Sequence, residues 1–269
     1  MQVYKELKIL SARPSLKDYQ KIKHHLYGFQ EVKKNFSTGD WLKLVKKKIT
    51  EIKKRKKIPI LVGGTGLYFK SLTEGIVKIP NIPIKFRKMV RSLHQKLGPK
   101  KFFLKLTKMD PLVLNYINPS DTQRSIRAYE IKLFTKKSMY NWFKSTKSYY
   151  DEKDFHKIYI DFPRNELVKR IELRVKEMIK RGAILEVEKF IELKVPKDKS
   201  VNKAIGISEI KEYLNKKIEI NEVIEKISVK TRQYAKRQST WARGNMINWN
   251  KINPSDIDKI LKKKYKLIS

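Results

Sequence analysis

The chain has 269 residues, enough for one large domain or for a domain carrying an inserted one. A hydrophobic share of 40% with 10% aromatics can fill a core, which excludes a globally disordered chain. The lack of cysteine excludes disulfides, a CxxC redox pair and thiolate zinc sites.

Lys plus Arg number 64 against 27 Asp plus Glu, a formal net charge of +37 that attracts polyanions, nucleic acid before anionic membrane. Much of the excess is lysine scattered along the whole sequence, as in any lineage of Lys-, Asn- and Ile-rich composition. Charge alone therefore supports RNA binding only weakly. No apolar run reaches the length of a membrane span, and no signal-peptide core opens the sequence. The chain reads as cytoplasmic, without a membrane partner.

Residues 1–37 read as irregular, with Pro14, Gly28 and the pair His24-His25. From Asp40 the apolar positions Trp41, Leu44, Val45, Ile49 and Ile52 recur at helical spacing. Ile58–Val62 is a short β-branched run expected to form a buried parallel strand. It ends in Gly63-Gly64-Thr65-Gly66, with a helix starting near Leu67; helix, strand, glycine turn and helix in that order make an α/β pattern.

Pro80 and Pro83 open a stretch, 78–152, that reads as a helical insertion of three or four short helices. Its last helix starts at Ser120, with Ser120 and Asp121 as caps. Residues 156–162 return to strand character. Pro163 suits the first position of a helix carrying Leu167, Ile171, Val175 and Ile179 and stopped by Gly182. Helices over 183–193, 201–214 and 219–240 and a strand near Met246–Trp249 complete the pattern. The domains expected are thus 1–77 with 153–269, and 78–152.

Four clusters bear on chemistry. Gly63-Gly64-Thr65-Gly66 after a strand lets a backbone approach a ligand and presents N–H groups to anions, although a tight turn with a capping threonine has the same sequence. It lacks the Gly-Lys-Ser/Thr ending of a Walker A loop.

In Asp121–Glu130, Gln123 and Arg127 share a helix face, where they could read base edges and phosphates or simply form a solvated, ion-paired surface. Thr231–Arg243 is the densest cluster. It interleaves cations for phosphates with Tyr234 and Trp241 for stacking on a base, and Trp241 fits a core position as well. Arg170 and Arg174, four apart, could hold a pyrophosphate jointly, or pair with Glu172 and Glu177. His24, His25, His94 and His156 show no metal-ligand spacing.

Taken together, MQVYKELKILSARPS, HHL at 24–26, IPILVGGTGLYFKSLTEG, DTQRSIRAYEI, RIELRVKEMIKRG, KAIG and TRQYAKRQSTWAR resemble the tRNA dimethylallyltransferase family, in family order from residue 1 to about 250. The resemblance implies an α/β fold with a parallel sheet core like that of P-loop kinases and an inserted helical domain that grips the anticodon stem. The reaction would move a dimethylallyl group from dimethylallyl diphosphate to N6 of adenosine 37, in tRNAs reading codons that begin with U. The adenosine would be flipped into a channel. Magnesium is the expected ion, the tRNA anticodon stem-loop the partner, and a monomer the expected state.

By position, the resemblance implies that Thr65 lies beside the reacting base, with Gly63 and Gly64 as channel backbone and Arg170 and Arg174 near the diphosphate. It further implies that tRNA is contacted by Gln2, Arg87, Gln123, Arg124, Ser125, Ile126, Arg127, Lys203, Gly206, Lys236, Arg237, Gln238, Thr240, Trp241 and Arg243.

Ile207-Ser208 departs from the family, which usually shows an aromatic followed by a basic residue there. The family's P-loop and its Asp-Ser pair, whose Asp is the expected general base, precede the point where this sequence starts. On that basis Ile58–Val62 is expected to lack its neighbours, and the 269 residues alone to be poorly stable and nearly inactive. Two other readings are a non-catalytic RNA-binding chain and prenylation of free adenine nucleotides. The long insertion speaks against the latter.

Overall fold

The computed structural model describes residues 1–19 and 22–260, and its elements follow from local sequence rules. After a short helix α1 (Leu16–Tyr19), helix α2 (Thr38–Lys54) starts where Ser37 and Asp40 cap each other. The Ser37 hydroxyl accepts from the Asp40 amide at 3.1 Å, and the Asp40 carboxylate accepts from the Ser37 amide at 3.0 Å. The buried stripe of α2 is Val45 and Ile49.

The run whose pattern favours a buried strand is exposed, as expected for one that lacks its sheet neighbours. Ile58, Ile60 and Val62 are 56%, 66% and 77% exposed on unpaired backbone. A parallel strand is stable only with ladder partners and covered faces, and the described residues supply neither to this segment. The turn that follows does feed helix α3 (Gly66–Thr73).

Two compact units divide the chain: Met1–Tyr68 with everything from Phe155 onward, and Phe69–Asp154. The second unit is helical. Helix α4 (Ile84–Met109) changes direction at Gly98-Pro99, where Gly98 takes φ 71°, ψ 166°. A 3-10 turn (Pro111–Asn115), α5 (Thr122–Thr135) and α6 (Met139–Lys144) follow. Of the two caps foreseen for α5, Asp121 serves, accepting from the Arg124 amide at 3.0 Å. The core of this unit is Ile82, Val90, Phe102, Leu106, Val113 and Ile131 with their neighbours.

In the first unit β1 (Ile158–Ile160) leads into α7 (Arg164–Lys180), α8 (Ala183–Glu192), α9 (Ile207–Leu214) and α10 (Ile220–Asn245). Pro163 stands one residue before α7 with ψ 133° rather than inside its first turn. The helix foreseen over 201–214 is broken by Gly206 at φ 106°, which leaves a 3-10 turn (Ser200–Lys203) before α9. The last strand lies beyond Met246–Trp249: β2 (Asn250–Ile252) pairs parallel to β1 with Tyr159 opposite Lys251.

The irregular first 37 residues are not peripheral. Tyr4, Leu7, Leu10 and Val32 pack with Ile171, Val187, Phe190, Ile210 and Ile227. Their backbone is held by one carboxylate, Glu186 of α8, which accepts from the amides of Lys8, Ile9 and Leu10 at 2.8, 2.7 and 2.9 Å.

Candidate active site and nucleic-acid interface

Two clusters separated by about 170 residues in the sequence come together in the first unit. The Gln238 amide of α10 donates to the Gly64 carbonyl at 2.8 Å, and the Trp241 ring lies against Gly66. A β-carbon built on Gly66 would fall 2.3 to 2.5 Å from that ring, and one on Gly64 would fall 2.1 Å from the Gln238 amide nitrogen. The glycines are there because a helix face passes too close for any side chain.

Thr65 sits exposed at the head of α3, its carbonyl accepting from the Tyr68 amide at 2.9 Å. Tyr68 stacks on Trp41 of α2 at 4.4 Å. On the outward side of α10, Gln233, Lys236, Arg237, Thr240 and Trp241 line a shallow concavity of about 420 Å³. Lys236, Arg237, Thr240 and Arg243 are exposed, while Gln238 and Trp241 are half-buried in their contacts with the turn.

Arg170 and Arg174 do not pair with Glu172 and Glu177. Glu172 accepts from Arg232 at 3.0 Å instead, and Arg170 lies over the Phe162 ring at 4.9 Å. Burial lowers the Arg174 guanidinium from its usual value, but an arginine so placed still carries its charge at any physiological pH. Both side chains keep exposed surface, so two cations four residues apart remain available for an anion.

Lys203 is exposed on the turn that ends at Gly206, and the turn is held by residues that motif inspection had not singled out. Glu209, 1% exposed, accepts from the Gly206 amide at 2.9 Å, from the Ser208 hydroxyl at 2.9 Å and from the Lys230 ammonium. Burial alone would raise its carboxyl; the bonds from Lys230, Ser208 and Gly206 outweigh that and hold it below the usual glutamate range. The spacing of a glutamate three residues after a helix-opening residue was the available signal.

In the helical unit Gln123 and Arg124 are exposed, with Arg124 3.4 Å from Asp121. Arg127 donates to Glu130 at 3.2 Å, a carboxylate only 3% exposed. Ser125 faces inward and donates to the Asp121 carbonyl at 2.9 Å, and Ile126 packs against the core. Arg87 is half-buried on α4, with its Nε lacking a hydrogen-bond partner. Gln2, in the first unit, spends its amide on the Ala12 carbonyl at 3.1 Å.

Among the described residues no three His, Asp or Glu side chains converge as ligands for a metal. Burial first, and then Lys48, Lys23 and Arg55 around it, lower the His25 pKa from its ordinary value. No helix among the described residues is long and apolar enough to cross a membrane.

Solved structures superpose on the chain. The full-length tRNA isopentenylpyrophosphate transferase of Bacillus halodurans superposes with a TM-score of 0.67 at 29% identity, over 99% of this chain and 84% of that one. A eukaryotic dimethylallyltransferase acting on tRNA gives a TM-score of 0.73 at 28% identity, over 90% of this chain and 61% of that one. The fold is thus the α/β fold of tRNA isopentenyltransferases.

The IPP transferase family model matches residues 2–245, and the chain belongs to that family. A tRNA dimethylallyltransferase of Pelagibacter ubique (strain HTCC1062) is 57% identical over 263 residues, spanning 98% of this chain and 84% of that protein.

Proposed function

We propose that this chain is a tRNA dimethylallyltransferase, moving a dimethylallyl group from dimethylallyl diphosphate to N6 of adenosine 37 of tRNA. The observation that carries the reading is the seating of α10 on the glycine turn. It brings the Gln238 amide to Gly64 and the Trp241 indole to Gly66, on the helix that also carries Lys236, Arg237 and Arg243. A ligand with a planar base and a phosphate backbone matches that chemistry.

In the reaction the exocyclic amine forms a C–N bond to the allylic carbon as the C–O bond to diphosphate breaks, and the amine gives up a proton. The diphosphate gains negative charge as it leaves, so cations and N–H groups aimed at it lower the barrier. Arg170 and Arg174 are the cations we assign to it, and the amides of the glycine turn are suited to the same task. Thr65, a neutral hydroxyl, can accept a hydrogen bond from the amine N–H and orient it, while the proton itself passes to water or to the departing diphosphate. Lys236, Arg237 and Arg243 are assigned to tRNA phosphates and Trp241 to the neighbourhood of the flipped base. In the helical unit Gln123, Arg124 and Arg127 are assigned to tRNA by their own surface.

A non-catalytic RNA-binding role is disfavoured, because the relatives matched along nearly the whole chain are transferases. The test is transfer of labelled dimethylallyl from its diphosphate to an anticodon stem-loop carrying adenosines at positions 36 and 37. Incorporation that disappears with guanosine at 37, and falls at least about a hundredfold in Arg170→Ala/Arg174→Ala, is expected from loss of charge stabilisation. No incorporation by the unaltered chain while it binds the stem-loop would overturn the proposal in favour of RNA binding without chemistry.

A further inference from the structure

The helical unit carries aromatic surface that the assignments above leave unused. Tyr116, just after the 3-10 turn, stacks on Tyr140 of α6 with centroids 4.0 Å apart and planes 19° from parallel. Phe143 meets Tyr140 edge-on at 5.7 Å. Tyr140 packs against the core of the unit, but Tyr116 does not belong to that packing and is 54% exposed; Phe143 is 46% exposed. Tyr116 therefore stacks with one side on Tyr140 and keeps its other surface toward solvent.

The stack lies among charged groups of both signs, Arg124 as well as Asp110 and Asp121. Arg124, exposed on α5, acts electrostatically on the Tyr140 hydroxyl, and Lys144 follows Phe143 directly in sequence. An open aromatic face with the exposed Arg124 beside it, on a chain of net charge +37, suits a ligand that offers a planar ring next to an anion. An unpaired nucleotide is that ligand: its base extends the ring stack and its phosphate meets the arginine. An apolar protein surface would match the rings and leave the cations unanswered.

We propose that the outer face of Tyr116 is a stacking platform for an unpaired nucleobase of the bound RNA, with Arg124 meeting the adjoining phosphate. The proposal rests on RNA being the substrate. The full chain is titrated with a single-stranded RNA containing 2-aminopurine, whose emission is quenched on stacking, and with the anticodon stem-loop at fixed salt. Wild type and Tyr116→Phe should quench alike and bind within about twofold of each other, since both present the ring. Tyr116→Leu keeps apolar bulk without the ring and should weaken binding about tenfold, equivalent to about 1.4 kcal/mol. The salt slope should stay the same, because stacking releases no counterions.

Equal affinity of Tyr116→Leu and wild type, with prenyl transfer by the wild type intact, overturns this proposal alone. A wild type that neither binds nor modifies RNA overturns the functional reading with it. Unchanged RNA binding but altered sedimentation in Tyr116→Leu would assign the face to a protein contact, and would also overturn the proposal. Should Tyr116→Leu melt the unit, quenching by Tyr116→Phe matched to wild type decides in its place: absence of quenching in both refutes the stack.

Discussion

The Glu209–Lys230 pair offers an asymmetric test of how the turn at Gly206 is held. Glu209 is 1% exposed, whereas the Lys230 side chain is half exposed. Removing the charge of Glu209 by Glu209→Gln leaves Lys230 free to turn toward water, and the amide oxygen can still accept from Gly206. The loss is one charge-assisted bond, discounted for the solvent at Lys230, or about 1–1.5 kcal/mol. Lys230→Met instead orphans a carboxylate that cannot reach water, at about 3–5 kcal/mol. The double variant should return to about the level of Glu209→Gln, because no charge is then left buried.

Urea denaturation followed by helical circular dichroism reads these values as midpoint shifts. With a slope of about 1–3 kcal/mol/M, Lys230→Met should lose about 1 M or more. The pH dependence has opposite signs. In the wild type the Glu209 carboxyl is held below its ordinary value of 4.5, so its contribution is complete above that pH and is lost as pH falls through the folded value. In Lys230→Met burial prevails and raises the carboxyl, so stability should fall as pH rises toward neutrality. Equal costs for Glu209→Gln and Lys230→Met, or a double variant worse than Lys230→Met, would refute the reasoning.

Two further outcomes follow from the glycines. Gly66→Ala places a methyl within 2.5 Å of the Trp241 ring, so the indole must shift. Transfer activity, measured as kcat/KM, should fall about tenfold or more while the unfolding free energy drops by only the overpacking cost of about 1–3 kcal/mol. Gly244→Ala, near the end of α10, meets nothing within 4 Å and should stabilise by about 0.5–1 kcal/mol in a thermal melt; a lowered midpoint would contradict the helical geometry assigned there.

Local grammar was legible along the chain. The stripe of α2, the Asp121 cap of α5 and the Gly182 stop of α7 all rest on contacts within a few residues, which periodicity and capping rules read directly. The family motifs were equally local, and they named the clusters at 63–66, 123–127 and 231–243.

What these clusters do to one another was not legible. That Gln238 and Trp241 close on Gly64 and Gly66 is a contact across 174 residues, and no spacing encodes it. The same is true of Glu186 holding the amides of residues 8–10, which turns an irregular segment into part of a core, and of Tyr116 stacking on Tyr140. Ile58–Val62 shows the limit most plainly. Its β-branched pattern states a preference for a buried sheet, but a strand is made by its neighbours, and in the described residues that run lies unpaired and exposed. Sequence determined which segments were helical and which side chains could meet RNA; tertiary structure alone decided which of them share a site, because hydrogen bonds and packing between distant segments depend on distances that no local pattern records.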